Sequence, residues 1–301
     1  MKKLIALGTI LCSLVLNAEE KKPATFEVLV PTKEGTVDKE LKGKEQLELT
    51  VASYNIAASR VSSPEEIGKA IKTMKADFVA LAEVDVNTER SGHKDQLAII
   101  AKESKMYPVF GKAIDFEGGE FGPALLSKYP VKKSQNFLLP VPGDGRQHVL
   151  IVAEVEIPNF PEPVLFMAVH LDYKEDPSVR IKQIREINNV TIASIKTDFP
   201  SIESRIKILA GDFNEVDGTP VMNELYRYWD SVLDKEADNR TWPAINPAIA
   251  IDHILTYKGQ KWAVEEVIIP NKNKNKNWNG INWAAVSDHV PVIARIRLLE
   301  Q

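Results

Sequence analysis

Residues 206–214 run Ile-Lys-Ile-Leu-Ala-Gly-Asp-Phe-Asn, an apolar stretch closed by glycine and followed by a carboxylate and an amide two positions apart. Short apolar runs bounded by turn residues are strands. Ile206–Leu209 is therefore expected to be one, delivering Asp212 and Asn214 to its C-terminal end. The same layout recurs outward in both directions. Asn55 follows Leu49-Thr50-Val51-Ala52-Ser53-Tyr54, Glu83 follows Val79-Ala80-Leu81-Ala82, and His170 follows Phe166-Met167-Ala168-Val169. Asp252 lies within Ile249-Ala250-Ile251-Asp252-His253-Ile254-Leu255, and Asp288-His289 precedes Val290-Pro291-Val292-Ile293. Six strands thus carry an amide, carboxylate or imidazole to a terminus or edge, and the carboxyl ends of strands are where α/β folds collect ligands and chemistry. Singly, such residues are turn formers. Together, an oxygen- and imidazole-rich set without thiolate suits a hard cation and a phosphate.

Further strands are expected at Leu47–Ser53, Phe78–Ala82, Ala124–Leu126, Val149–Glu156, Val164–Val169, Ile251–Leu255, Val264–Ile268 and Val290–Ile296, with amphipathic helices between them. One helix opens at Ser62-Ser63-Pro64-Glu65-Glu66, where a capping serine, a first-turn proline and early acids coincide. Another follows Asp176-Pro177-Ser178, with Ile181, Ile184, Ile187 and Val190 as its core-facing stripe. The segments 149–156 and 164–169 are separated by Pro158, Asn159, Pro161 and Pro163, too little chain for a helix, so they should form an antiparallel hairpin. The sheets must then be mixed, in one α/β domain over residues 46–301.

Composition agrees with a globular enzyme or binding protein. A chain of 301 residues with 44% hydrophobic and 27% charged residues can bury a large core, and it is not disordered, collagenous or coiled coil. With 38 basic residues against 42 acidic ones, no general polyanion-binding field is expected. One cysteine excludes an internal disulfide and a cysteine-rich zinc cluster. That residue, Cys12, lies in the apolar run Leu4–Leu16, which follows Met1-Lys2-Lys3 and precedes the charged Glu19-Glu20-Lys21-Lys22. Residues 1–18 are therefore expected to be a signal peptide, with a secreted or periplasmic product and no stable membrane span after its removal. Removing Lys2 and Lys3 with no acid leaves 36 basic against 42 acidic residues, a net charge of −6. Residues 19–45 are expected to be a polar extension, with Phe26–Val30 a candidate edge strand.

Ser53-Tyr54-Asn55-Ile56, Leu81-Ala82-Glu83-Val84-Asp85, Thr88-Glu89-Arg90-Ser91-Gly92 with Asp95-Gln96, Ala124–Pro130, Val169-His170-Leu171-Asp172, Gly211-Asp212-Phe213-Asn214, Ile251-Asp252-His253-Ile254 and Ser287-Asp288-His289-Val290-Pro291-Val292 resemble, in order, the motifs of the endonuclease/exonuclease/phosphatase superfamily. Its fold is that of pancreatic deoxyribonuclease and AP endonuclease. The resemblance implies an α/β, four-layered α/β/β/α sandwich, two mixed sheets packed face to face with flanking helices. It also implies Mg²⁺- or Mn²⁺-dependent cleavage of phosphate esters by direct attack of activated water. Carried over by position, Asn55, Glu83 and Asp288 would hold the metal, and Asp212 and Asn214 would position the water and the scissile phosphate. His289, oriented by Asp252, would be a general base or a charged phosphate clamp, and His170 would stabilise charge building at phosphorus. Arg90, Asp95 and Trp283 are candidates for substrate contact, with a structural ion pair as the alternative for Arg90 and Asp95.

Other residues weigh differently. The family commonly has Gly-Asn-Ala where this chain has Gly122-Pro123-Ala124, and proline supplies neither the side-chain donor nor a backbone N–H. His93 and His148 are expected on the surface and His253 in a packing role. The run Asn271-Lys272-Asn273-Lys274-Asn275-Lys276-Asn277, followed by Trp278 and Trp283, is expected to be a solvated loop, with a grip on a phosphorylated or lipid substrate as the alternative. The expected protein is thus an exported, monomeric, metal-dependent phosphodiesterase for a small or lipid-linked substrate such as an inositol phosphate. A nuclease is the first alternative, disfavoured because no basic stripe is present to neutralise a duplex. A catalytically silent binding protein on the same fold is the second, and the completeness of the polar set argues against it.

Overall fold

The computed structural model describes residues 46–143, 145–271 and 277–300. The expected signal, the extension with its strand candidate, and residues 272–276 of the lysine–asparagine run lie outside the described residues. In chain order the elements are β1 (Glu48–Asn55), α1 (Pro64–Met74), β2 (Phe78–Val86), α2 (Gln96–Ser104), β3 (Tyr107–Phe110), β4 (Ile114–Phe116), β5 (Gly119–Ser127), β6 (Val131–Leu139), β7 (His148–Val155) and β8 (Val164–His170). There follow α3 (Ser178–Thr191), β9 (Lys207–Asp212), α4 (Pro220–Leu225), β10 (Trp229–Ser231), β11 (Asp252–Tyr257), β12 (Lys261–Ile268), the short hairpin β13 (Asn277–Trp278) and β14 (Ile281–Asn282), and β15 (Val292–Glu300).

The strands form two large sheets. A seven-stranded one runs β12-β15-β1-β2-β5-β3, with β4 also on β5; a six-stranded one runs β10-β11-β9-β8-β7-β6. Each is mixed: β1 and β2 are parallel in the first, β8 and β9 in the second, and their other neighbours are antiparallel. The expected hairpin is β7–β8, pairing Val155 with Val164 and Leu150 with Val169.

Burial divides the core into layers. Between the sheets pack Val51, Phe78, Leu125 and Val292 of the first against Ile151, Phe166, Ile208 and Ile254 of the second. The rings of Phe78 and Phe166 meet across this layer with centroids 4.7 Å apart. The outer face of the first sheet is covered by Ile67, Ile71 and Met74 of α1 and Leu97 and Ile100 of α2, and that of the second by Ile184, Ile187 and Val190 of α3 and Met222 and Leu225 of α4. This is the expected four-layered sandwich. Helix α1 starts where its sequence dictates: the Ser63 hydroxyl accepts from Glu66 N at 3.2 Å and the Glu66 carboxylate accepts from Ser63 N at 3.1 Å, a complete capping box.

Candidate active site

Glu83 is aimed by a defect in the sheet. Across β2 and β5, Leu81 faces Ala124 and Val84 faces Gly122, so Ala82 and Glu83 together oppose Pro123 alone. The extra residue is a β-bulge, and Glu83 takes up a left-handed φ of 57° there. Proline has no ladder bond to give, and a bulge is where a strand asks for none. Asn55, at the end of β1, joins this carboxylate to the second sheet. Its Nδ2 donates to Glu83 Oε1 at 3.3 Å and to Asp212 Oδ2 at 2.9 Å, while its Oδ1 accepts from Ala57 N at 2.9 Å. Arg60 closes the other side, donating to Glu83 Oε2 at 2.9 Å. Burial works against the charge of Glu83, but the neighbouring His170, Arg60 and the Asn55 amide outweigh it and hold the carboxyl below its ordinary value.

Asp212 ends β9 beside His170, which ends β8; the two are register partners in the parallel pair. That closeness needs Gly211, where a Cβ would stand 2.0 Å from the carbonyl oxygen of Val169. Asp212 Oδ1 accepts from Asn214 N at 2.9 Å, and Asn214, at a left-handed φ of 49°, donates from Nδ2 to the Leu171 carbonyl at 2.9 Å. Asp212 is 2% exposed, and burial together with the nearby Asp252 charge pushes its pKa up to about 7. Burial lowers His170 to about 4, against the pull of Glu83.

The third group stands across the site. Asp252 begins β11 opposite Asp212 in register, and its Oδ2 accepts from His289 Nδ1 at 2.8 Å. Burial disfavours a charged His289, but the Asp252 carboxylate overrides it and lifts the pKa to about 9. With Nδ1 engaged, Nε2 points into the site, 3.9 Å from Asp212 Oδ2 and 4.0 Å from Asp288 Oδ1. Behind this segment, the Ser287 hydroxyl donates to the Asn55 carbonyl at 2.7 Å, locking the Asp288-His289 turn to β1.

Eight of the expected residues thus gather at adjoining strand ends; three expected substrate contacts and His148 are placed otherwise. Arg90 donates to Asp85 from Nε at 2.7 Å and from Nη2 at 2.9 Å, with its guanidinium 4.5 Å from the Phe116 ring. Asp95 caps α2, accepting from Ala98 N at 2.9 Å. Trp283 is fully buried, edge-on to Tyr54 at 5.6 Å, in the layer beneath the helices rather than at the mouth. His148, expected on the surface, is buried at the start of β7: its Nδ1 donates to the His170 carbonyl at 2.8 Å, and Asp172 lies 3.7 Å from Nε2. Burial brings it to about 4, so this histidine is neutral and supports His170 from behind. His253 packs edge-on against Phe213 at 5.5 Å and donates from Nε2 to the Glu215 carbonyl at 2.8 Å. His93 is exposed.

Three residues near the centre escaped the sequence reading. Arg60 pairs with Glu83, as above. Trp242 lies with its ring 6.4 Å from that of His289. Arg146, just before β7, holds its guanidinium 4.1 Å over the Phe121 ring and shares a small recess with Pro123, His148 and His170. The one sequence signal was Arg146 itself, a cation two residues before β7, the strand that starts beside His170.

The donor set fits a hard divalent cation. Oδ1 of Asp252 and Oδ1 of Asp288 are buried without a hydrogen-bond partner among the described residues, and an anionic oxygen in that condition calls for a cation. Asp212, Asp252 and His289 also form a group whose ligating atoms lie within 4.8 Å of one another. His289 already donates to Asp252 within that group, so those two form a hydrogen-bonded dyad.

A family model described as the PGAP2IP C-terminal nuclease-like domain matches residues 49–201, just over half of the chain. The uncharacterized protein YbhP of Escherichia coli strain K12 is 24% identical over 245 residues, 77% of this chain and 88% of that protein. Among solved structures, an endonuclease/exonuclease/phosphatase from Bacteroides vulgatus superposes with a TM-score of 0.66 at 17% identity, over 84% of this chain and 100% of the other. The mannosyl-6-phosphatase of Bacteroides thetaiotaomicron gives 0.62 at 16% identity, over 82% and 99%. At these identities the structural likeness is one of fold.

Proposed function

The chain belongs to the endonuclease/exonuclease/phosphatase superfamily of phosphate-ester hydrolases, and from that premise we propose that it is an exported, Mg²⁺- or Mn²⁺-dependent phosphodiesterase for a small or lipid-linked ester. The observation that carries the reading is the Asn55 amide bound at once to Glu83 and Asp212, which ties the ligand carboxylate on one sheet to the catalytic carboxylate on the other. Export rests on the basic start and apolar run of residues 1–18.

A divalent cation on Glu83, Asn55 and Asp288 would neutralise the phosphate and ease departure of the leaving oxygen. Asp212, near 7, is matched to take a proton from the attacking water around neutral pH. His289, near 9, is an imidazolium at that pH, and it offers Nε2–H to a phosphoryl oxygen as charge develops. Of the two roles open to His289, the clamp is therefore favoured over the base. His170 is neutral and contributes a hydrogen bond rather than a charge. Arg146 supplies a cation beside Pro123, where the family's usual asparagine is missing.

The test is hydrolysis of bis(p-nitrophenyl) phosphate by residues 19–301 with Mg²⁺, Mn²⁺ or EDTA. Activity is expected only with metal, and Glu83→Gln and His289→Asn should each lose about 10²-fold or more. Full turnover in EDTA, or undiminished rates in both variants, would overturn the reading.

A further inference from the structure

We propose that the loops around the active centre form a rim by which the protein lies on a zwitterionic phospholipid surface and takes its phosphate ester from that surface. This rests on the phosphodiesterase reading above and names where its substrate is presented. Scattered exposed apolar side chains are ordinary on a soluble protein; here they are concentrated. Of nine large exposed hydrophobic side chains among the described residues, six lie on segments joined to site residues: Val61, Tyr173, Val216, Trp242, Ile245 and Ile249. Val61 follows Arg60, Tyr173 lies three residues past His170, and Val216 two past Asn214.

The 241–250 segment is fixed to the centre. Val290 N donates to the Thr241 carbonyl at 3.0 Å, and Trp242 lies 6.4 Å from His289. Trp242 and Ile249 pair through their backbones, which draws the segment into a tight loop whose intervening Ile245 is 71% exposed. On the opposite flank, Tyr173, itself 68% exposed, lies within electrostatic reach of Arg146, as does Glu83. Apolar groups thus flank the centre from the His289 side and from the His170 side.

The partner's chemistry follows. Tryptophan and tyrosine partition to the headgroup level of a bilayer, the level at which lipid phosphates lie. A rim seated there with its isoleucines toward the acyl boundary brings the carboxylate and imidazole groups to the depth of the phosphates. Attachment is peripheral, because no helix among the described residues is long and apolar enough to cross a membrane. A net charge of −4, or −6 once Lys2 and Lys3 are removed with residues 1–18, gives no overall attraction to an anionic surface, so the zwitterionic surface is the better fit. Pairing of two rims in a dimer would instead cover both active centres.

The experiment is sedimentation of the purified protein with sucrose-loaded phosphatidylcholine vesicles in EDTA, where no turnover occurs, beside hydrolysis of bis(p-nitrophenyl) phosphate with metal. Vesicle binding is expected for the wild type, about 10-fold weaker in Tyr173→Ser and in Ile245→Ser, with the soluble ester hydrolysed at unchanged rates by both. Absence of binding by the wild type, equal binding by the variants, or binding only when phosphatidylglycerol is added would overturn the proposal. So would a concentration-dependent dimer that Ile245→Ser dissolves, which would assign the rim to a second copy. Vesicle binding without hydrolysis of the soluble ester defeats the catalytic reading alone, and hydrolysis without vesicle binding defeats the rim alone.

Discussion

His170 and His289 approach the same carboxylate oxygen, Asp212 Oδ2, at 3.8 and 3.9 Å, and both are buried, yet one titrates at about 4 and the other at about 9. Burial penalises both imidazolium ions alike. What separates them is a dedicated acid: His289 has Asp252 at 2.8 Å, while Glu83, the carboxylate that most favours a charged His170, is shared with Arg60. Two histidines in one cavity are thereby assigned different charges at neutral pH, one a cation and the other a neutral hydrogen-bonding group. The side chain that decides this does not face the substrate.

The largest effect should come from removing that decision. Asp252→Asn keeps the volume but strips His289 of its counter-charge. Phosphodiesterase activity is expected to fall about 10³-fold, and the alkaline limb of the pH–rate profile to move down toward pH 7. A profile unchanged in position would break the comparison. Next, Glu83→Gln should weaken Mn²⁺ binding, followed by calorimetric titration, by about 10²-fold, whereas His170→Asn should leave it within about threefold.

Stability against pH sharpens the contrast without metal. His289 has a folded pKa above its unfolded one, so its contribution is fully present below about 6.5 and is lost as pH rises through 9. His170 has a folded pKa below its unfolded one, so the fold is penalised as pH falls from about 6.5 through 4. Urea unfolding of the metal-free protein should show His289→Asn losing of the order of 2–3 kcal/mol relative to wild type at pH 6 and less at pH 10. His170→Asn should gain on wild type at pH 4.5. The smallest effect is expected from Arg60→Ala: its side chain is 56% exposed, so the ion pair with Glu83 is screened, and activity should change no more than about threefold.

Much of the site was legible because each group stands at the end of an apolar run, and such runs betray their strands. Arg60, His148 and Trp242 were not, because their nearness to the centre is made by pairings between distant segments. Trp283 misled by proximity in sequence: five residues before Asp288, it turns inward on a short 3₁₀ turn, and its indole N–H donates to the Trp278 carbonyl at 3.2 Å. Arg90 and Asp95 help to build the loop beside the site, through bidentate pairing with Asp85 and through capping of α2. Strands whose text is polar or rich in turn residues were the hardest to read. β6 carries Lys132, Lys133, Ser134, Gln135 and Asn136 on a largely solvated edge, and β5 passes through Gly119, Gly122 and Pro123 before its apolar end.

The bulge opposite Pro123 also makes β2 a strand in two phases. Before it, the even positions Phe78 and Ala80 face the other sheet and the odd positions Val79 and Leu81 face the helices; beyond it Val84 and Val86 face the helices. The alternation slips by one across Ala82-Glu83, so Glu83 belongs to neither face and projects along the sheet edge toward Asn55. Deleting a single residue there would restore strict alternation and leave Val84 and Val86 facing the helices, but it would remove the bulge that aims Glu83. The strand's length is thus set by the placement of the Glu83 carboxylate as much as by the core.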